Sequence, residues 1–183
     1  DLSNAKTLKY YYRVIELRRG QSSNGKMKDN RLAGAYNNSG LVYLYAEEYP
    51  LAIEYMNKAL DCLPVNGNTH FQAIMNRNLA ILHGRIEEFE VAHHHLNVVE
   101  DLALELDLNA EIQFVHDHRC RLSLLQGDLD SAAVYKNVAI EYSESNGSEE
   151  YDNFTLLGDL SLAQGDMDEA HEHYKRALVM KSD

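Results

Sequence analysis

Small and apolar residues recur along this chain with helical spacing, and the helical pattern itself recurs at a longer period. Four amphipathic stretches, YPLAIEYMNKAL, FEVAHHHLNVV, LDSAAVYKNVAI and MDEAHEHYKRAL, align on Ala52, Ala92, Ala132 and Ala170, at intervals of 40, 40 and 38 residues. Seven residues beyond each alanine stands another small or β-branched residue: Ala59, Val99, Ala139 and Ala177. Four residues beyond it stands a larger one: Met56, Leu96, Lys136 or Tyr174. An α-helix turns once per 3.6 residues, so offsets of four and seven share a face. Small side chains on that face let a second helix approach closely.

The second helix is visible upstream of each alanine, separated from it by AEEY before Pro50, by IEEF, by QGDLD or by QGDMD. Gln126-Gly127-Asp128 and Gln164-Gly165-Asp166 suit a helix that stops at glycine, where left-handed backbone is cheap, followed by an aspartate that caps the next helix. Pro50 fits the start of a helix, where its missing N–H costs nothing. Each unit therefore reads as helix, tight turn, helix, and no convincing strand interrupts the series.

This pattern resembles the tetratricopeptide repeat family. In YNNSGLVYLYAEEYPLAIEYMNKALDCLP the signature side chains stand as Tyr36, Gly40, Tyr43, Tyr49, Ala52, Ala59 and Pro64. In FTLLGDLSLAQGDMDEAHEHYKRAL they are Phe154, Leu157, Gly158, Gly165, Ala170, Tyr174 and Ala177. The middle units depart from it: Ala80 and Cys120 replace the first-helix glycine, and His83, Ser123 and, in the last unit, Ser161 stand where an aromatic is usual. The family's period is about 34 residues. Here the extra residues fall around DLALELDLNAEIQFVH, where apolar spacing continues, which predicts longer helices of the kind found in kinesin light chains, spindle scaffolds of the Leu-Gly-Asn class and bacterial peptide-sensing regulators.

The resemblance implies an all-α, right-handed superhelical solenoid of antiparallel helix pairs forming one domain over 1–183. Residues 1–25 would be the second helix of a truncated repeat, followed by helix pairs over 31–66, 71–108, 111–146 and 149–183. It also implies a protein or extended peptide held in the concave groove of the first helices. That groove would present Asn37, Asn38, Leu41 and Tyr45, then Arg77, Asn78, Ile81 and Arg85, then Asp117, His118, Arg121 and Leu125, and finally Thr155 and Asp159. Asparagine offers a donor and an acceptor to a peptide backbone, and the arginines suit an acidic residue or a terminal carboxylate. The alternative for the asparagines is helix-to-helix hydrogen bonding, and for His118 and Arg121 pairing with Asp117 and Asp159. The carboxylate clamp of chaperone cofactors would need Lys or Arg in place of Asn37, Phe114 and His118 and Asn in place of Leu41; only Asn78 fits.

Charge narrows the partners. The net charge is −12, but residues 1–31 carry eight basic against three acidic side chains, a balance of +5 that leaves −17 for the rest. The acidic body opposes nucleic-acid or anionic-membrane binding, both of which require basic surface. No apolar run approaches the roughly 20 residues of a membrane-spanning helix. Cys62 and Cys120 form no CxxC pair, consistent with reduced thiols in a cytoplasmic protein. The helical register starts inside a repeat and stops after a second helix, which predicts an excised fragment or a homodimer through an uncapped end.

Two motifs invite chemistry. His93, His94 and His95 fall at 100° intervals around a convex helix, and His116 and His118 diverge by about 200°, so neither set converges on one ion. Tyr10, Tyr11 and Tyr12 spread in the same way, with Tyr12 on the packing face. No cofactor motif, GxSxG, HExxH or phosphate loop is present. The expectation is a non-enzymatic binding scaffold. A regulatory sensor or dimerisation segment of a larger bacterial signalling protein is the alternative, and a metal-dependent enzyme the remote one.

Overall fold

A computed structural model describes residues 2–19, 29–63, 69–146 and 151–180. Among them are nine α-helices and no strand: α1 (Leu2–Arg19), α2 (Asn30–Tyr45), α3 (Tyr49–Asp61), α4 (Thr69–Arg85), α5 (Phe89–Glu105), α6 (Asn109–Gln126), α7 (Leu129–Asn146), α8 (Tyr151–Gln164) and α9 (Met167–Met180). Pro64 of the family signature lies outside the described residues, as do the predicted boundaries at 25, 66, 149 and 183. The chain forms two compact units, 1–95 and 96–183, with the boundary inside α5.

Close approach inside each pair follows from the small-residue face. Ala52, Ala92, Ala132 and Ala170 are buried, as are Ala59, Val99, Ala139 and Ala177. In the first unit α2 packs on α3, with Met56 fully buried beside Ala52 and with Leu79 and Leu82 of α4 in the same core. Burying one such side chain contributes roughly 1.5–3 kcal/mol. Ile15 of α1 joins Leu32, Tyr36, Ala59 and Met75 in a second cluster. In the second unit Cys120, Ala132, Leu156 and Leu160 form the core among α6, α7 and α8, while α8 packs on α9.

The turns obey the sequence in part. Gly127 and Gly165 take left-handed backbone, with φ of 75° and 87°. Asp128 and Asp166 cap the following helices by accepting from the Ser131 and Glu169 amides, at 3.1 and 3.0 Å. Asp29 caps α2 through the Arg31 amide. The turn before α6 is equally tight, and α5, α6 and α7 run 17, 18 and 18 residues against 13 for α3. The additional sequence around DLALELDLNAEIQFVH is therefore helix on both sides of a short turn.

Candidate functional site

First helices of consecutive repeats touch directly within each unit. In the first unit Asn78 Nδ2 of α4 donates to Asn37 Oδ1 of α2 at 3.0 Å, and Asn37 is buried. Helix-to-helix bonding thus occupies this asparagine pair, one of the two roles the sequence left open. Asn38 and Leu41 of α2 are half-buried, as are Arg77, Asn78 and Ile81 of α4. Tyr45 is 81% exposed, and Arg85, the equivalent position one repeat later, is exposed as well. The first unit therefore offers two adjacent rows: Asn38, Leu41 and Tyr45 beside Asn78, Ile81 and Arg85.

In the second unit α6 presents Asp117, His118 and Arg121, all half-buried, and an exposed Leu125. Both acids of the alternative pairing with His118 and Arg121 have partners on the second helices. Asp117 Oδ1 accepts from Lys136 Nζ of α7 at 2.8 Å, and Asp159 Oδ1 accepts from the Tyr174 hydroxyl of α9 at 2.8 Å. Burial, then the hydrogen bond to Asp159, pushes the Tyr174 phenol up to about 12. The His118 ring lies 3.9 Å from that of Phe114, and its Nδ1 is 3.2 Å from the Phe114 carbonyl. Thr155 of α8 is half-buried.

Three polar groupings leave no signature in the sequence pattern. Lys136 fits the pattern only as a larger side chain on the packing face, yet its fully buried ammonium donates to Asp117 and, at 3.1 Å, to Asn153 Oδ1. Asn153 in turn donates to Ser143 Oγ at 3.0 Å and accepts from Gln113 Nε2 at 3.3 Å. Arg119 grips both Glu100 oxygens, at 3.0 and 2.7 Å, and also donates to Asn97 Oδ1. Burial works to raise the Glu100 pKa, but the Arg119 hydrogen bonds and charge, with His116, hold it below its ordinary value. Desolvation and the Arg119 charge lower that of His116, against the opposing pull of Glu100 and Asp117.

The third grouping involves the run His93, His94 and His95, which is partly exposed. His94 is exposed, but His95 turns toward α4, where its ring stacks on His83 at 5.4 Å and its Nδ1 meets Asn76 Oδ1 at 2.8 Å. Burial, then the neighbouring His83 and His94, lowers its pKa to about 4. His83 Nδ1 contacts Glu88 Oε2 at 2.7 Å. Among the described residues no three His, Cys, Asp or Glu side chains are placed to hold a metal. The helical offset that separates the three histidines was readable; the inward turn of His95 depended on a helix some 20 residues away. Tyr12 is half-buried, its hydroxyl bonded to that of Tyr43 and its ring 6.1 Å from Tyr55. Tyr10 stays exposed.

A cavity of about 830 Å³ lies apart from these rows, lined by Ala5, Leu8, Lys9, Tyr12, Arg13, Glu16 and Tyr43. No helix among the described residues is long and apolar enough to cross a membrane.

Models of the tetratricopeptide repeat match residues 31–105 and 151–183. Among solved structures, that of BtubC (BKLC) from P. vanneervenii is similar over 98% of this chain and 74% of its own, with a TM-score of 0.78 and 21% identity. At that identity the likeness concerns the helical-repeat fold. No curated protein matches the sequence.

Proposed function

The chain belongs to the tetratricopeptide repeat family, and from that premise we propose that it is a protein- or peptide-binding scaffold whose first helices hold an extended segment of the partner. Proteins built from these repeats are in general interaction scaffolds without enzymatic activity. The observation that carries the finer reading is the pair of rows on α2 and α4. Asn37 and Asn78 tie the two helices together from within, while Tyr45 and Arg85 stand exposed at equivalent positions of adjacent repeats. An exposed aromatic beside an arginine is the composition of an interface hot spot, and half-buried Leu41 and Ile81 supply apolar floor between polar Asn38, Arg77 and Asn78.

Peptides selected from a displayed random library on the native chain provide the ligand for a test. Tyr45→Ala/Arg85→Ala should weaken the selected peptides at least about tenfold, corresponding to the loss of roughly 1.4 kcal/mol or more expected of such anchors. Both side chains are exposed, so the melting temperature should hardly change. Undiminished affinity in a folded double variant would move the binding surface off the first helices.

A further inference from the structure

Each second helix carries two neighbouring stripes. One holds the small residues that meet the first helix of the same pair. The other begins three residues before each alanine and recurs at offsets of four, seven and eleven, which share a face. In α3 this stripe is Tyr49, Ile53, Met56 and Leu60, and Leu79 and Leu82 of α4 join it in one core. All four residues are buried or half-buried, and so are the corresponding positions of α5 and α7. In α9 the stripe is Met167, His171, Tyr174 and Leu178. Met167 is 66% and Leu178 65% exposed, His171 is exposed, and Tyr174 is half-buried. Leu162 of α8 is exposed as well, whereas its counterparts Leu44, Gly84 and Leu124 are not.

The charges beside this stripe restrict what can lie on it. At 100° per residue, Asp168 and Lys175 flank it on the side away from Ala170 and Ala177, the buried pair that faces α8. Both flanking residues are exposed, and Lys175 meets Glu172 only at 3.9 Å in a solvated pair worth little. An acid followed by a base along one flank complements a copy of the same helix running antiparallel. A parallel copy would set Asp168 against Asp168. With a twofold axis between Glu172 and His173, Met167 lies opposite Leu178 of the second copy and His171 opposite its Tyr174. Asp168 then stands level with Ala177 of that copy, two residues or about 3 Å along the axis from Lys175, within reach of a lysine side chain. The twofold axis makes each contact twice. The net charge of −12 does not forbid this, because at 0.15 M salt repulsion is screened beyond roughly 8 Å and the charges at the contact decide.

We infer that the exposed face of α8 and α9 is a homodimer surface, on which α9 packs antiparallel against α9 of a second copy. Met167 and Leu178 supply the apolar contact, Leu162 extends it onto α8, and the pairing of Asp168 with Lys175 sets the direction. The inference is independent of the peptide rows on α2 and α4.

Sedimentation equilibrium of the whole chain at about 0.15 M sodium chloride tests it. The native chain should dimerise with a Kd on the order of 10 μM, as suits a contact made mainly by one helix pair. Met167→Glu/Leu178→Glu should stay monomeric at about 200 μM, with the melting temperature in dilute solution unchanged because both side chains are exposed. Asp168→Lys and Lys175→Asp should each weaken the dimer about tenfold, since each turns two attractive pairs into repulsive ones. Combining them in Asp168→Lys/Lys175→Asp should restore association, although both changes oppose the helix dipole. Damage to α9 alone would instead accumulate in the combined variant. A native chain that is monomeric at about 200 μM overturns the inference and leaves the face to a different partner. A dimer indifferent to Met167→Glu/Leu178→Glu forms elsewhere and overturns it too. So does a combined charge exchange that fails to restore association, because the antiparallel arrangement then falls.

Discussion

Gly34 and Gly158 both lie inside helices, yet exchanging each for alanine should have opposite effects. A Cβ at Gly34 meets nothing within 4 Å, so Gly34→Ala gains helix propensity alone and should stabilise the chain by about 1 kcal/mol. A Cβ at Gly158 would overlap the ring of Tyr174, which cannot retreat without breaking its bond to Asp159. Overpacking of that kind costs roughly 1–3 kcal/mol and outweighs the propensity gain, so Gly158→Ala should lower the denaturation midpoint. Equal shifts in urea melts would show that close helix approach is not what this glycine serves. His95 gives the matching argument for pH. With Asn76 Oδ1 as acceptor its Nδ1 carries the proton, and a second proton must enter beside His83 and His94. The unfolded chain takes that proton near pH 6.5, the folded chain only near 4. Stability contributed by neutral His95 is thus complete above pH 6.5 and is lost as pH falls through that window. Thermal melts from pH 7 to 4 should decline less steeply in His95→Gln than in the native chain, and parallel curves would refute the assignment.

At the scale of an element, five tight turns share one geometry. The amides of Glu48, Glu88, Leu108, Asp128 and Asp166 each donate to a carbonyl five residues back, those of Tyr43, His83, Ala103, Ser123 and Ser161, all at 2.9 Å. This is the bond of the Schellman motif, and it requires a left-handed residue just before the donor. Gly127 and Gly165 supply it without strain, but Glu47, Glu87 and Asp107 do so with φ of 60°, 60° and 53°. Left-handed backbone costs a residue bearing Cβ about 1–2 kcal/mol. Glu87→Gly should therefore stabilise the chain by about 1 kcal/mol and raise the melting temperature by a few degrees; a fall would mean that the Glu87 side chain contributes more than its backbone costs. The same turns explain which features the sequence made legible. The two QGD turns announce themselves through glycine and a capping aspartate, whereas the other three look like ordinary acidic surface. Helix faces were readable because alanine spacing reports them directly. The commitment of Asp117 and Asp159 was not, because Lys136 and Tyr174 reach them across helix pairs, 19 and 15 residues away in sequence. The family resemblance implies a groove position for Arg121 and says nothing of its pairing.

At the scale of the whole molecule, the same −12 that argues against nucleic acid also bears on folding. Compaction brings the acidic residues beyond position 31, with their balance of −17, closer together than in the expanded chain, so self-repulsion opposes the folded state at low ionic strength. Added salt works against this and also weakens surface ion pairs. Arg13 with Glu16, Glu54 with Lys58 and Glu172 with Lys175 are largely exposed, and such pairs contribute little to begin with. Lys136 with Asp117 and Arg119 with Glu100 are mostly shielded from solvent and respond weakly to screening. Relief of repulsion should therefore win. The melting temperature is expected to rise between about 0.01 M and about 0.1 M sodium chloride, as the Debye length contracts from roughly 30 Å to roughly 10 Å, and to level off beyond. Charge reversal of two exposed acids in the acidic region, Asp101→Lys and Asp130→Lys, should flatten that rise by reducing the same repulsion. A melting temperature that falls with salt in the native chain would show that attractive surface pairs, not net charge, govern its electrostatic stability.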